Sequence, residues 1–393
     1  MNTVTAQNTK NVFFADGLLL IGFGIHCTLK GMMLPYIKEE FMISYSQSGL
    51  LVTSSTVGFA LSAVLSGKLS EKLGPVRLLT IHAALMALAS LMILFAPSVA
   101  WIIAAFFLSG ISYCGAESMS TSVIKSYSYP GREDKTVSSV FSFYMVGGML
   151  ASLLCYLILR TGAPWRVSYA LAGAICMIAA LAIRTIPERP IAGAGNVLGL
   201  QLKELFGNRV FLCLCIASAI FSGVETSTHN WIATVIRDGT PFEAADTYIL
   251  LALFYLSITI GRVICTQILT RARTKDVVST ALFLSMVLLL ALSYVGRPAL
   301  VWVLTAAFGL CTSALYPMLI SLTSGQADGG AVYSATFFAI SIGNITTNAL
   351  LGFIADAYSV NATFRFDGAL LGVALVFVLL SELKKKKQIR PDL

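Results

Sequence analysis

The stretch 67-GKLSEKLGPVRLL-79 decides how the chain is to be read. It packs Lys68, Lys72, Arg77, Glu71, Gly74 and Pro75 between an apolar run that begins near Gln47 and another that begins near Val76. A short basic hinge between two runs of about 20 apolar residues is the pattern of two membrane spans joined by a cytoplasmic loop. Working outward, further runs of this kind begin near Val12, Ala100, Val137, Trp165, Val210, Ala245, Val277, Ala299, Val332 and Phe366, which makes twelve spans. The composition agrees, since charged residues are 12% and mean hydropathy is +0.82, whereas a soluble domain carries roughly 25% charged residues. A soluble enzyme is thereby excluded. The start MNTVTAQNTKN is polar and runs into an apolar stretch too long for a signal-peptide core, so it reads as a cytoplasmic tail.

The expected organisation is a tail over 1–11, a six-helix bundle over 12–185, a polar cytoplasmic linker over 186–208, a second six-helix bundle over 209–383 and a basic tail over 384–393. With both ends cytoplasmic, the outer loops hold only Lys38, Arg160, Arg166, Arg237, Arg297 and Arg365, and Lys30 and Arg262 fall inside spans. The remaining basic residues lie on the inner side, as the positive-inside rule requires. Topology thus accounts for the net charge of +8, and Lys384 to Lys387 read as an orientation signal that meets lipid headgroups, not nucleic acid. The eight cysteines fall inside apolar runs with no loop spacing, so they read as small buried hydrophobes and not as disulfides or metal ligands. Glycines in 145-MVGGM-149 and 341-SIGNIT-346 fit close helix approach; no strand or Walker spacing makes them a phosphate cradle.

The two halves are weakly alike. A shift of 199 positions lays 67-GKLSEK-72 over 266-TQILTR-271 and 110-GISYCGAE-117 over 309-GLCTSALY-316, while a shift of 196 aligns 141-FSFYMVGG-148 with 337-FFAISIGN-344. Internal repeats of this kind are a feature of transporters. The shift of 199 also sets His26 over Glu225 and Lys30 over His229, so spans 1 and 7 each carry two ionisable residues one helical turn apart.

An ionisable side chain at bilayer depth is costly and marks a functional site unless it is paired. In 221-FSGVETSTHNWIATVIR-237, Glu225 and His229 stand one turn apart with Trp231 beyond. A carboxylate, an imidazole and an indole on one wall suit hydroxyl-rich or zwitterionic ligands; the plainer readings are a belt tryptophan at the outer end and a helix-helix hydrogen bond from the histidine. Glu117 sits midway along span 4 beside 118-SMSTS-122. Burial disfavours the charged form of a carboxyl and a nearby cation favours it, so a carboxyl that meets each in turn can take up and release a proton. Lys30 reads as mid-span, and it either pairs with Glu117 or binds an anion. Arg262 in 258-ITIGRVICTQ-267 is a substrate ligand or a brace to backbone carbonyls.

With these residues in place, the chain resembles the major facilitator superfamily. Its signature after span 2 is matched by Gly67, Leu69, Lys72, Gly74 and Arg77; Glu71 stands where aspartate is usual, and Pro75 breaks the basic pair. Three stretches, 115-GAESMS-120, 223-GVETSTHNW-231 and 313-SALYPMLISL-322, resemble the fucose:proton symporter-like branch. Two positions depart from that branch: Lys30 replaces an acidic residue of span 1, with Asp16 nearer the cytoplasmic end, and Tyr144 replaces a span-5 asparagine. The resemblance implies an all-α fold of twelve helices in two pseudo-symmetric six-helix bundles that work by alternating access. It implies a conformational loop at Gly67, Glu71, Lys72, Gly74 and Arg77. The expected binding site comprises His26, Lys30, Glu117, Tyr144, Glu225, His229, Trp231, Arg262, Tyr316 and Asn344, with Glu117 and Glu225 as the expected carriers of the coupling proton. The expected function is secondary active transport of a small polar, sugar-like solute, coupled to protons or to sodium, without a cofactor, by a monomer in the cell inner or plasma membrane. The alternatives are a carboxylate carrier or exchanger using Lys30 and Arg262, efflux of a drug-like solute, and a non-transporting sensor. An enzyme is not expected, because the chain has no HExxH, GxSxG or Cys/His metal spacing.

Overall fold

The computed structural model describes residues 6–128, 133–188, 207–239, 244–326 and 330–382. Among these the chain folds into helices α1 (Ala6–Met32), α2 (Leu34–Phe41), α3 (Tyr45–Leu73), α4 (Pro75–Leu94), α5 (Val99–Tyr127), α6 (Glu133–Arg160), α7 (Val167–Ile183), α8 (Arg209–Gly239), α9 (Ala244–Ile268), α10 (Thr274–Leu292), α11 (Pro298–Thr312), α12 (Leu315–Ser324), α13 (Gly330–Ala357) and α14 (Val360–Leu380). Ten segments are long and apolar enough to cross a membrane, with α11 and α12 together forming one of them, and α7 is a shorter apolar helix. With α3, of 29 residues, the expected twelve are complete. Most of the linker 186–208, the first five residues of the N-terminal tail and the basic tail 384–393 lie outside the described residues.

Helix starts fall within a few residues of the apolar runs, with two exceptions. The first is α1, which starts at Ala6 and not near Val12. The second is α14, which starts at Val360 and not near Phe366, because a cap and not hydropathy sets its start: Ser359 Oγ accepts the Ala362 N–H at 3.3 Å.

Prolines shape the rest. Pro75 and Pro298 open α4 and α11, where their missing N–H and preset φ cost nothing. Pro35 cannot bond back to the Gly31 carbonyl, which separates α2 from α1 at Met33. Pro317 leaves the Ser313 carbonyl without its helical donor and separates α12 from α11. Met42, in the left-handed region at φ 52, closes α2.

Two compact units result. One comprises α1, α2, α3 from Leu50 onward, α4 to α7 and the start of α9 (Ala244–Ala252); the other comprises the first turn of α3 (Ser44–Gly49), α8, the rest of α9 and α10 to α14. In the first unit α1 packs on α6 and α7, and α4 packs on α5 and α7, around Leu19, Phe23, Leu79, Met86, Val123 and Ile183. In the second unit α8 packs on α13 and α14, and α10 packs on α11 and α14. Leu157, Leu181, Val263, Val303, Phe338 and Val376 are exposed, as lipid-facing side chains of spanning helices should be. All eight cysteines are free thiols, six of them buried.

Candidate functional site

In the first unit the half-buried polar positions gather where α1, α3, α5 and α6 face one another. Lys30 is not mid-span as expected: it lies in the last turn of α1, beside the break that Pro35 causes. Its Nζ donates to Ser55 Oγ on α3 at 2.9 Å. No ion pair between Lys30 and Glu117 occurs among the described residues, so the expected pairing is not made in this conformation. Cys27, one turn earlier on α1, is the residue within electrostatic reach of Lys30, Tyr144 and Glu117 together; Lys30, a turn further on, reaches α3 instead. Tyr113, one turn before Glu117 on α5, stacks on Tyr144 of α6 with centroids 5.6 Å apart and also meets Phe23 and Phe59.

His26 is placed differently from the expectation. It is buried, its Nδ1 is 2.8 Å from Ser90 Oγ, and its ring meets Tyr169 edge-on at 5.4 Å. It therefore belongs to the packing of α1 on α4 and α7. Asp16, fully buried, accepts a hydrogen bond from Ser120 of α5. His82 on α4 is enclosed with both ring nitrogens unpartnered among the described residues, in the space left by Gly115, where a Cβ would strike the imidazole.

In the second unit Glu225 is half-buried near the middle of α8. Arg262 of α9 is the cation within electrostatic reach of both Glu225 and His229. The His229 ring packs against Phe254 at 5.4 Å and Tyr255 at 5.6 Å, and Phe254 stacks on Phe308. Arg262 does act as a brace: its Nε donates to the Ser313 carbonyl at 3.1 Å, the acceptor that Pro317 has orphaned. Its two terminal nitrogens have no hydrogen-bond partner among the described residues. Trp231 is neither a belt residue nor half-open to a cavity; it is 0% exposed, with its ring 6.4 Å from that of Tyr45. Tyr316 on α12 and Asn344 on α13 are half-buried, and the Asn344 side-chain oxygen is enclosed without a partner among the described residues.

The loop signature divides between elements. Gly67, Glu71 and Lys72 continue α3, Gly74 makes the turn at φ 83, and Arg77 is in the first turn of α4. Glu188, beyond α7, accepts the Val76 N–H at 2.9 Å and the Arg77 N–H at 3.2 Å. The two N–H groups that open α4 thus meet a carboxylate, which also suits the positive end of the helix dipole. Ser55, Cys27, Tyr113 and Glu188 were not singled out in the sequence. The shift of 199 did carry a signal for Ser55, because it superposes Lys30 on His229 and Ser55 on Phe254, and both pairs are in contact.

The family model described as Major Facilitator Superfamily matches residues 17–339. The chain is 22% identical to the Protein TsgA homolog of Buchnera aphidicola, over 95% of this chain and 97% of that one. It is 24% identical to a gallate transporter of Pseudomonas putida, over 78% and 76%. It shares its fold with the E. coli fucose:proton symporter at a TM-score of 0.66 and 16% identity, covering 94% of this chain and 98% of that one. Twelve helical spans without a described strand, the α3–α4 loop signature and a family match across most of the chain agree: the chain is a multi-pass membrane transporter, not an enzyme, and belongs to the Major Facilitator Superfamily.

Proposed function

We propose that the protein is a secondary active carrier of a small organic anion, a hydroxylated or aromatic carboxylate, coupled to proton movement. The observation that carries the reading is Lys30, whose ammonium group is held by the neutral Ser55 hydroxyl and has no carboxylate partner among the described residues. A cation half-enclosed in apolar helices without a counter-charge is a binding position for an anion. The free terminal nitrogens of Arg262 offer the planar fork that suits a carboxylate, and the kinship with a gallate transporter supports the same class. Glu117 and Glu225, each half-buried at mid-helix, are the proton carriers in this reading. The carrier works as a monomer in the inner or plasma membrane with both termini cytoplasmic, and it takes no cofactor beyond its coupling ion.

A neutral sugar is the second reading, favoured by the stacked Tyr113 and Tyr144 rings and by the fold shared with a fucose symporter. Thermal stabilisation of the purified protein separates the two. Binding to the folded state raises the melting temperature, by about 2.7 kcal/mol of stability at a hundredfold excess over Kd. Hydroxylated carboxylates should stabilise the wild type and lose that effect in Lys30→Met. Stabilisation by neutral sugars, undiminished in Lys30→Met, would overturn the anion reading.

A further inference from the structure

The face of α8 opposite Glu225 meets a carboxyl of α14 that neither polar cluster uses. Asp367, two turns into α14, is fully buried, and its Oδ2 lies 2.8 Å from Ser227 Oγ on α8. Ser227 follows Glu225 by two residues, about 200° around the helix at 3.6 residues per turn. Ser227 Oγ also lies 2.9 Å from the Val224 carbonyl oxygen, and Asp367 Oδ1 is enclosed with no hydrogen-bond partner among the described residues.

Counting hydrogens decides what this arrangement holds. A serine hydroxyl has one hydrogen and two lone pairs. Were Asp367 a carboxylate, its Oδ2 and the Val224 carbonyl would compete for that single hydrogen, and Oδ1 would keep its share of the charge with no donor, the costliest way to bury an oxygen. As a carboxylic acid, Asp367 donates from Oδ2 to Ser227 Oγ, Ser227 donates to Val224, and both distances are accounted for. Oδ1 is then an uncharged carbonyl oxygen, the polar atom least expensive to leave bare.

Among the described residues, nothing packed against α14 supplies a compensating charge. On α8, Glu225 and His229 have Arg262 as their charged neighbour, Asp238 accepts from Tyr45, and Arg209 and Arg237 stand near the helix ends. On α10, Lys275 bonds Ser381 at the far end of α14, and Asp276 is in the first turn. On α13, Asp356 holds the first turn of α3, and on α14 itself Arg365 lies over Tyr294. None of these is bonded to Asp367.

We infer that Asp367 and Ser227 form a proton-binding site, loaded in this conformation, that ties α8 to α14 on the side away from Glu225. The proton leaves only when water or a base reaches Asp367, which requires α8 and α14 to part locally. The inference stands apart from the transported solute and from the roles of Glu117 and Glu225. Infrared difference spectroscopy of the full-length protein in lipid tests it. A carboxylic C=O band that shifts in D2O should be present at neutral pH in the wild type, in Glu117→Gln and in Glu225→Gln, and absent in Asp367→Asn. Asp367→Asn should also melt close to the wild type, because its amide can donate to Ser227 as the acid does. Where that variant does not fold, Ser227→Ala serves instead and should move the band to higher frequency by removing its acceptor. A spectrum in the carboxylic region that neither Asp367→Asn nor Ser227→Ala alters would overturn the inference.

Discussion

Lys30 shows how much a few ångströms of placement change a residue's chemistry. Read at mid-span, its charge calls for Glu117; placed in the last turn of α1, it has the carbonyl end of the helix dipole and Ser55 for company. The consequence is measurable. Lys30→Met and Glu117→Gln should each change the melting temperature independently, with a coupling of no more than about 0.5 kcal/mol, as for residues without a shared contact. Recovery of stability in the double variant would mean that the pair forms in the dominant state. Glu225 sits with Arg262 and His229 in its neighbourhood, so Glu225→Gln removes a charge while keeping shape and hydrogen bonding. It should stay folded and lose the pH dependence of ligand binding; wild-type affinity together with wild-type pH dependence would assign Glu225 to structure.

At the scale of helices, small residues and caps set how the spans meet. A Cβ on Gly24 would strike the Tyr144 carbonyl and crowd Gly147, and one on Gly223 would strike Thr347 and the Gly343 carbonyl. These two crossings, α1 on α6 and α8 on α13, are related by the same shifts of 199 and 196 that relate the sequences of the halves. Overpacking costs about 1 to 3 kcal/mol, so Gly24→Ala and Gly223→Ala should each lower the melting temperature. Gly296→Ala, with nothing within 4 Å of the added carbon, should leave it nearly unchanged. The α3–α4 turn depends on two residues at once: Gly74 supplies the positive φ and the space into which the Glu188 carboxylate fits. Glu188→Ala leaves the Val76 and Arg77 N–H groups without their acceptor, a loss of about 1 kcal/mol by analogy with other helix caps. Gly74→Ala should cost more, since it adds backbone strain to the clash. A Glu188→Ala melting temperature equal to that of the wild type would show that the clasp contributes nothing.

At the scale of the whole molecule, the proposed proton coupling amounts to energy conversion. In vesicles, an inward proton gradient should drive accumulation of the carboxylate above its equilibrium level, and a protonophore should abolish the accumulation while leaving exchange of labelled for unlabelled substrate intact. Accumulation that follows a sodium gradient and ignores the proton gradient would transfer the coupling role to sodium.

The sequence by itself determined the fold class. Hydropathy is a local property that scales with the length of a span, so twelve spans, the loop at 67–79 and the repeat between halves were all legible without coordinates. It also marked Glu117, Glu225, Lys30 and Arg262, because a charge in an apolar run stands out wherever the run folds. What each of those charges touches was not legible. Contact depends on helix rotation, on where a proline ends a helix, and on side-chain reach, and none of these is contained in hydropathy. Tertiary structure alone decided that His26 packs against Ser90 and Tyr169, that Trp231 is sealed away, that Lys30 meets Ser55, and that Arg262 donates to the Ser313 carbonyl that Pro317 leaves without a helical donor. It alone brought Asp367 to Ser227, residues 140 positions apart, because two helices distant in sequence bury one polar contact between them only once they are packed.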